Sequence, residues 1–291
     1  MENLFDGRKI RDEILGELSK EIKLRDRAPH LAVFLIGENP VCESYVELKK
    51  KQAEKIGVTF SLYRFDDDDS EEGIFECIDF LNKDEEVDGI MIQIPISEKF
   101  DRNKLIGKIS PAKDIDGLRY CLGLDSNFKP PVVLAIMKAL ELSSTFQETA
   151  TTNQTPNFKI EKLQNKKIVL VGHGFLVGAP LARALEEIGV EPIVVLNEVN
   201  NLKENERSFA DAQDDIGGAD IIVSATGQPN IIKEEMVKEG VVLVDAGTAE
   251  FNGQLVGDIE PEAYKKSSYY TPVPGGIGPV TVAMLFKNLI K

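Results

Sequence analysis

The sequence predicts an α/β chain of two domains, and three observations predict it. The first half alternates apolar runs with amphipathic stretches, the order expected of parallel βαβ units. The second half opens with an apolar run that ends in closely spaced glycines and continues with helical periodicity. The length of 291 residues suits two domains of ordinary size, and 42% apolar residues can supply both cores.

Ile10, Ile14, Leu18 and Ile22 recur every four residues, one face of an amphipathic helix. Residues 31–36 are continuously apolar and read as a buried strand, and Gly37-Glu-Asn-Pro40 reads as a turn. The helix that follows carries Ser44-Tyr-Val-Glu-Leu-Lys-Lys-Lys51, and Gly57 closes it. Residues 58–65 alternate as a second strand. Asp66–Asp69, Glu71 and Glu72 then open a helix containing Ile74, Ile78 and Leu81; acids suit that end of the helix dipole, and capping explains them better than a metal. Residues 87–96 read as a third strand, with Gln93 set among aliphatics just before a proline. Pro130 and Pro131 precede an apolar helix over 132–142. Residues 143–157 are polar and Thr-rich and read as a linker. The domains are therefore expected at 1–142 plus 279–291, and at 143–278.

In the second half, residues 166–178 run from a strand through Gly172, His173, Gly174, Val177 and Gly178 into a helix. This is the dinucleotide arrangement: glycine lets backbone approach a pyrophosphate at the helix start. The strand over 192–196 ends at Asn197-Glu198, where a ribose-binding acid belongs. Residues 200–218 are acidic and weakly periodic, an insertion or a poorly packed helix. Two further buried strands end in the small-residue turns at Thr226-Gly227 and Thr248. A Pro- and Gly-rich loop, 271–281, leads to a last helix at 282–290, with Pro279 suited to the first helical position.

Composition excludes several classes of function. A net charge of −15 argues against nucleic acid and against an anionic membrane surface. No apolar run reaches the length of about 18 residues that a membrane span needs. The opening residues lack the pattern of a secretory signal. Three scattered cysteines suggest a reduced, cytoplasmic setting. With only His30 and His173, a zinc site or a histidine triad is disfavoured, and no metal is expected. Catalysis would fall to Lys, Asp, Glu, Tyr or a cofactor.

One cluster of residue types invites chemistry. Tyr45 and Lys49 are one helical turn apart and share a face beside a strand end. The bland alternative is a solvated face of Lys49, Lys50 and Lys51. Two acids, Asp114 and Asp116, sit one residue apart in a loop, and either can be a cap while the other works.

Six stretches, in order and spanning nearly the whole chain, resemble the bifunctional methylenetetrahydrofolate dehydrogenase/cyclohydrolase family. They are Tyr45-Val-x-x-Lys49-x-Lys51, residues 87–96, Lys113-Asp-Ile-Asp-Gly117, Gly172-x-x-x-x-Val-Gly-x-Pro180, Gly257-Asp258, and residues 271–279. The Gln-x-Pro and Pro-Gly-Gly-x-Gly-Pro pieces are the distinctive ones. The resemblance implies an N-terminal α/β folate-binding catalytic domain, a Rossmann-like dinucleotide-binding domain, an active-site cleft between them, and a homodimer. It implies oxidation of 5,10-methylenetetrahydrofolate with NAD or NADP, then hydrolysis to 10-formyltetrahydrofolate. Lys49 takes the acid/base role with Gln93 bonded to it, and Asp116 accepts from the pterin. Tyr45 stacks on the folate, and Pro274, Gly275 and Gly276 line the ligands. Lys50 and Lys51, if close, lower the Lys49 pKa.

Departures from the family pattern lie mostly on the cofactor side. His173-Gly174 stands where Arg-Ser is usual, and Asn197-Glu198 where Ser and Arg often stand. Arginine grips a 2′-phosphate and an acid repels it, so NAD is the expected preference. The alternatives are a cyclohydrolase alone, an NAD-linked dehydrogenase alone, or a folate- or nucleotide-binding protein without turnover.

Overall fold

The computed structural model describes residues 3–146, 161–196, 206–251 and 253–291. Contacts group the chain into two compact units: Arg11–Pro131 with Val282–Lys291, and Met1–Ile10 with Val132–Thr281.

The first unit is built on a three-stranded sheet. Its elements are α1 (Gly7–Ile22), β1 (His30–Ile36), α2 (Pro40–Ile56), β2 (Thr59–Phe65), α3 (Glu71–Lys83) and β3 (Gly89–Ile92), followed by α4 (Arg102–Lys108) and α5 (Leu118–Cys121). The strands are parallel in the order β2-β1-β3. The central β1 is buried from Leu31 to Ile36, which is why its sequence is an unbroken apolar run. Leu15, Leu18 and Ile22 of α1 join Val46, Ala53 and Ile56 of α2 and Phe286 and Leu289 of the final helix in one core.

Local chemistry sets the ends of α2. Asn39 accepts from the N–H groups of Val41 and Cys42, and Pro40 takes the first turn, where it needs no donor. Gly57 ends the helix at φ 92°. Asn39→Ala is expected to cost about 1 kcal/mol, the usual value of such a cap. Urea unfolding monitored by circular dichroism reads it.

Two sequence expectations are corrected here. The third strand is not 87–96 but Gly89–Ile92; Pro95 cannot donate to a ladder, and the Gln93 side chain bonds the Ile94 carbonyl. The acids 66–69 do not cap α3. They fold on themselves, Asp66 N–H to Asp69 and Asp68 N–H to Asp66, while Ser70 caps the helix through the Gly73 N–H. Beyond β3, Ile90 pairs with Asp114 in a parallel bridge, so residues 113–115 run beside that strand.

The second unit carries α6 (Pro131–Phe146), α7 (Glu161–Gln164), β4 (Ile168–Val171), α8 (Gly178–Glu186), β5 (Ile193–Leu196), β6 (Glu206–Ser208), α9 (Gln213–Gly218), β7 (Ile221–Ser224), β8 (Val242–Asp245), the hairpin β9 (Ala249–Phe251) and β10 (Gln254–Val256), and β11 (Tyr269–Tyr270). Its six-stranded parallel sheet has the order β11-β8-β7-β4-β5-β6. The chain moves outward from β4 through β5 to β6, then returns to β7 on the other side. The switch point between β4 and β7 is where open α/β sheets part their loops and take ligands.

Further corrections follow from this sheet. Of the acidic segment 200–218, read as an insertion or a poorly packed helix, residues 206–218 supply the edge strand β6 and then the helix α9, which is well packed, with Ala212, Ile216 and Ala219 buried. An edge strand needs few apolar residues, so its pattern is weak. The helix expected over 132–142 continues to Phe146, with Ser143 buried and bonded to the Leu140 carbonyl, and it groups with the six-stranded unit. The rest of the expected linker, 147–157, lies outside the described residues. Residues 3–5 lie along β11, Phe5 N–H to the Tyr270 carbonyl, which no sequence signal announced. The final helix is Ile277–Ile290, so Pro279 is its third residue and not its first.

Candidate active site

The apolar face of α2 packs on the sheet and carries Lys49 with it. Cys42 and Lys49 are two turns apart on that helix, and Tyr45 between them is about half exposed. The Lys49 Nζ donates to Gln93 Oε1 at 2.8 Å. Gln93 is buried just past β3, and its Nε2 donates to the Ile94 carbonyl at 2.9 Å. That second bond turns the amide oxygen toward the lysine. Burial pushes the Lys49 pKa down, and the charge of Asp116 pulls it back up. Burial pushes Asp116 up, and Lys49 opposes it. Lys49, Gln93 and Asp116 therefore form one group. Lys50 and Lys51 do not tune it: Lys51 pairs with Glu47 at 3.7 Å and is exposed, and desolvation acts instead.

The two acids divide the work. Asp114 is fully buried and accepts from the N–H groups of Leu118 and Arg119 at 3.1 and 2.8 Å, capping α5. Burial pushes its carboxyl up to about 7. Asp116 is left facing Lys49. Sequence reasoning missed Cys42, whose Sγ donates to the Pro95 carbonyl at 3.5 Å and lies close enough to feel the Lys49 charge. Its signal was available, since Cys42 and Lys49 are seven apart on one helix face. His30 bonds Ser61 within the sheet and takes no part.

In the six-stranded unit, the turn after β4 is built on two close approaches. A methyl group at Gly172 would sit 2.6 Å from the Ala225 carbonyl oxygen; at Gly178 it would sit 2.1 Å from the Gly172 carbonyl oxygen. A methyl group at Gly174 would meet nothing within 4 Å, so the absence of a side chain there is not needed for packing. Val177 precedes α8 without a side-chain cap; Ala179 N–H bonds the Gly174 carbonyl at 3.1 Å and Pro180 has no N–H, so the first turn leaves the Gly178 N–H for a ligand. The turns after β7 and β8 lie together, Gly227 beside the Thr248 carbonyl. Gly276 N–H closes a turn on the Pro272 carbonyl at 2.7 Å, shaping the Pro274-Gly275-Gly276 loop. His173 lies in the β4 turn; Asn197 and Glu198 lie outside the described residues. Crowded glycines, the Gly178 N–H at a helix start and paired turns at a switch point fit a dinucleotide. Among the described residues no group of His, Cys, Asp or Glu is arranged to hold a metal.

Residues 5–116 match the catalytic domain of tetrahydrofolate dehydrogenase/cyclohydrolase, and residues 155–291 match the NAD(P)-binding domain of the same family. A bifunctional protein FolD from Lactobacillus acidophilus is 35% identical over 303 residues, covering 100% of this chain and 97% of that one. The chain belongs to the tetrahydrofolate dehydrogenase/cyclohydrolase family. A solved dehydrogenase/cyclohydrolase of this family from Campylobacter jejuni superposes with a TM-score of 0.83 at 32% identity, covering 99% of this chain and 96% of that one. The Trypanosoma brucei member, described as complexed with NADP and an inhibitor, gives 0.82 at 28% identity, with 98% and 95% covered. These matches agree with the two-domain α/β fold read from the sequence.

Proposed function

We propose that this chain oxidises 5,10-methylenetetrahydrofolate to the 5,10-methenyl cation and hydrolyses that cation to 10-formyltetrahydrofolate. The observation that carries the reading is a buried lysine amine held by a glutamine and facing a carboxylate. A nicotinamide dinucleotide, when bound, accepts the hydride. The donor carbon lies between two nitrogens whose lone pairs stabilise the cation, so the protein chiefly positions the reactants. Gly172, Gly174, Gly178, Val177, Thr226, Gly227 and Thr248 hold the dinucleotide. Tyr45 stacks on the folate, Asp116 accepts from the pterin ring N–H and amino group, and Pro274, Gly275 and Gly276 line the ligand.

Hydrolysis needs a group that takes a proton from water near neutral pH. Neutral Lys49 supplies it: burial enlarges its neutral fraction, and Gln93 Oε1 accepts one N–H so that the lone pair is directed. Because the base works deprotonated, hydrolysis rises with pH through the Lys49 pKa. Asp116 raises that pKa, so in Asp116→Asn the rising limb moves to lower pH, alongside a higher KM for folate. A pH–rate profile of both proteins reads the shift; a limb that moves to higher pH refutes the coupling.

NAD is the preferred dinucleotide, supported by His173 in place of arginine and by Glu198. The chain acts as a cytoplasmic homodimer, a reading supported by family resemblance and by the open edge of β2. The test is absorbance: methenyl formation with NAD and with NADP, then its accelerated decay. Failure of both with folded protein ends the reading, and a much lower KM for NADP ends the NAD preference.

A further inference from the structure

The most unusual cluster outside the lysine site is a pair of buried acids in the six-stranded unit. Asp245 ends β8 and Asp258 follows β10; both are wholly buried. Asp245 Oδ1 accepts from the N–H groups of Gly247 and Asp258 at 3.1 and 3.2 Å, and Oδ2 from that of Ile259 at 2.9 Å. Asp258 Oδ2 accepts from Ser224 Oγ at 2.8 Å and from the Thr226 N–H at 2.6 Å, while its Oδ1 is buried with no hydrogen-bond partner among the described residues. Each carboxyl rests on the other's glycine. A methyl at Gly247 would sit 2.0 Å from Asp258 Oδ1, and a methyl at Gly257 would sit 2.1 Å from Asp245 Oδ2. The backbone of Asp245 also bonds Thr271, its N–H donating to Oγ1 at 2.7 Å, at the start of the loop that carries Pro274.

Among the described residues no Lys or Arg ion pair reaches either acid. Burial, with Asp258 nearby, pushes Asp245 up to about 7, so Asp245 is not fully charged at neutral pH. The other titratable groups facing it are Tyr264, whose hydroxyl lies 3.4 Å from Asp245 Oδ2, and Tyr270 stacked on Tyr264. Two partly opposed buried acids are a costly way to fill a core, and apolar side chains would do it more cheaply. What the pair achieves is directional: it sets the Ser224-Ala225-Thr226 and Gly247-Thr248 turns against one another.

The geometry points to Asp258, braced by Asp245, as the positioning residue that shapes the Thr226-Gly227 and Thr248 turns for the dinucleotide. The inference rests on the dinucleotide reading above and names residues that touch no ligand themselves. Because only Oδ2 of Asp258 is in use, an amide can keep its oxygen there and leave the turn in place. Asp245 accepts N–H groups on both oxygens, so an amide there faces a donor with a donor.

Calorimetric titration of the folded enzyme with NAD and with NADP, without folate, tests it. Asp258→Ala is expected to weaken the tighter-binding dinucleotide about tenfold or more, and Asp258→Asn about threefold or less. Asp245→Asn should behave like Asp258→Ala, and hydrolysis of methenyltetrahydrofolate should stay within about twofold in each. If Asp258→Ala fails to fold, Ser224→Ala removes one bond to the same oxygen and should show a smaller loss in the same direction. Unchanged binding in Asp258→Ala (or in Ser224→Ala, where it substitutes), or equal loss in the asparagine and alanine variants at 258, overturns the inference. A wild-type protein that binds neither dinucleotide overturns the dinucleotide reading, and this inference with it.

Discussion

Lys49→Ala is expected to slow hydrolysis of 5,10-methenyltetrahydrofolate by about 10²–10⁴-fold, the usual contribution of a positioned acid/base group. Lys49 is the amine whose pKa burial lowers beside Asp116, and Gln93 fixes its direction at 2.8 Å. Alanine leaves α2 intact, since it is the best helix former and its neighbours Val46 and Ala53 keep the core contact. Lys49→Arg is expected to fail as fully, because a guanidinium does not deprotonate near neutral pH. Decay of the methenyl absorbance under stopped conditions measures both. Hydride transfer asks less of the lysine, so its loss should be smaller. If either variant retains hydrolysis within a factor of about three, Lys49 is not the base.

Gly178→Ala is the second large effect, and it should fall on the other activity. The added methyl would lie 2.1 Å from the Gly172 carbonyl oxygen and 2.7 Å from the His173 Cα. Both are backbone atoms, so nothing can rotate away; the turn after β4 must open or α8 must shift. Overpacking of this kind costs about 1–3 kcal/mol or more. The KM for dinucleotide is expected to rise at least about tenfold, with hydrolysis within about twofold, because Lys49 belongs to the other compact unit. Gly174→Ala is the control: it meets no protein atom, so any loss there comes from the ligand. Initial rates of methenyl formation across dinucleotide concentrations separate the two. An unchanged KM in Gly178→Ala would remove the turn from the binding site.

Much of the architecture was legible because periodicity reports burial. The continuous run at 31–36 became the central strand β1, and the glycine turn at 172–178 became the β4–α8 junction. Elements whose residues are half wet were harder. β6 and α9 read as an insertion or a poorly packed helix because a sheet edge asks for little apolar surface. The strand-like pairing of residues 3–5 with β11 joins chain positions more than 260 residues apart, and no local pattern encodes such a partner.

The site divides in the same way. Residue types and their order by themselves determined the family, the two α/β units, and the candidacy of Lys49, Gln93 and Asp116. Only the tertiary structure decided that Asp114 caps a helix while Asp116 faces the lysine, and that burial, rather than the neighbouring lysines, lowers the Lys49 pKa. It alone set Asp245 against Asp258, from segments that the sequence holds apart. The physical reason is range: propensity and pattern act over a few residues, whereas desolvation and pairing depend on which distant atoms replace water around a group.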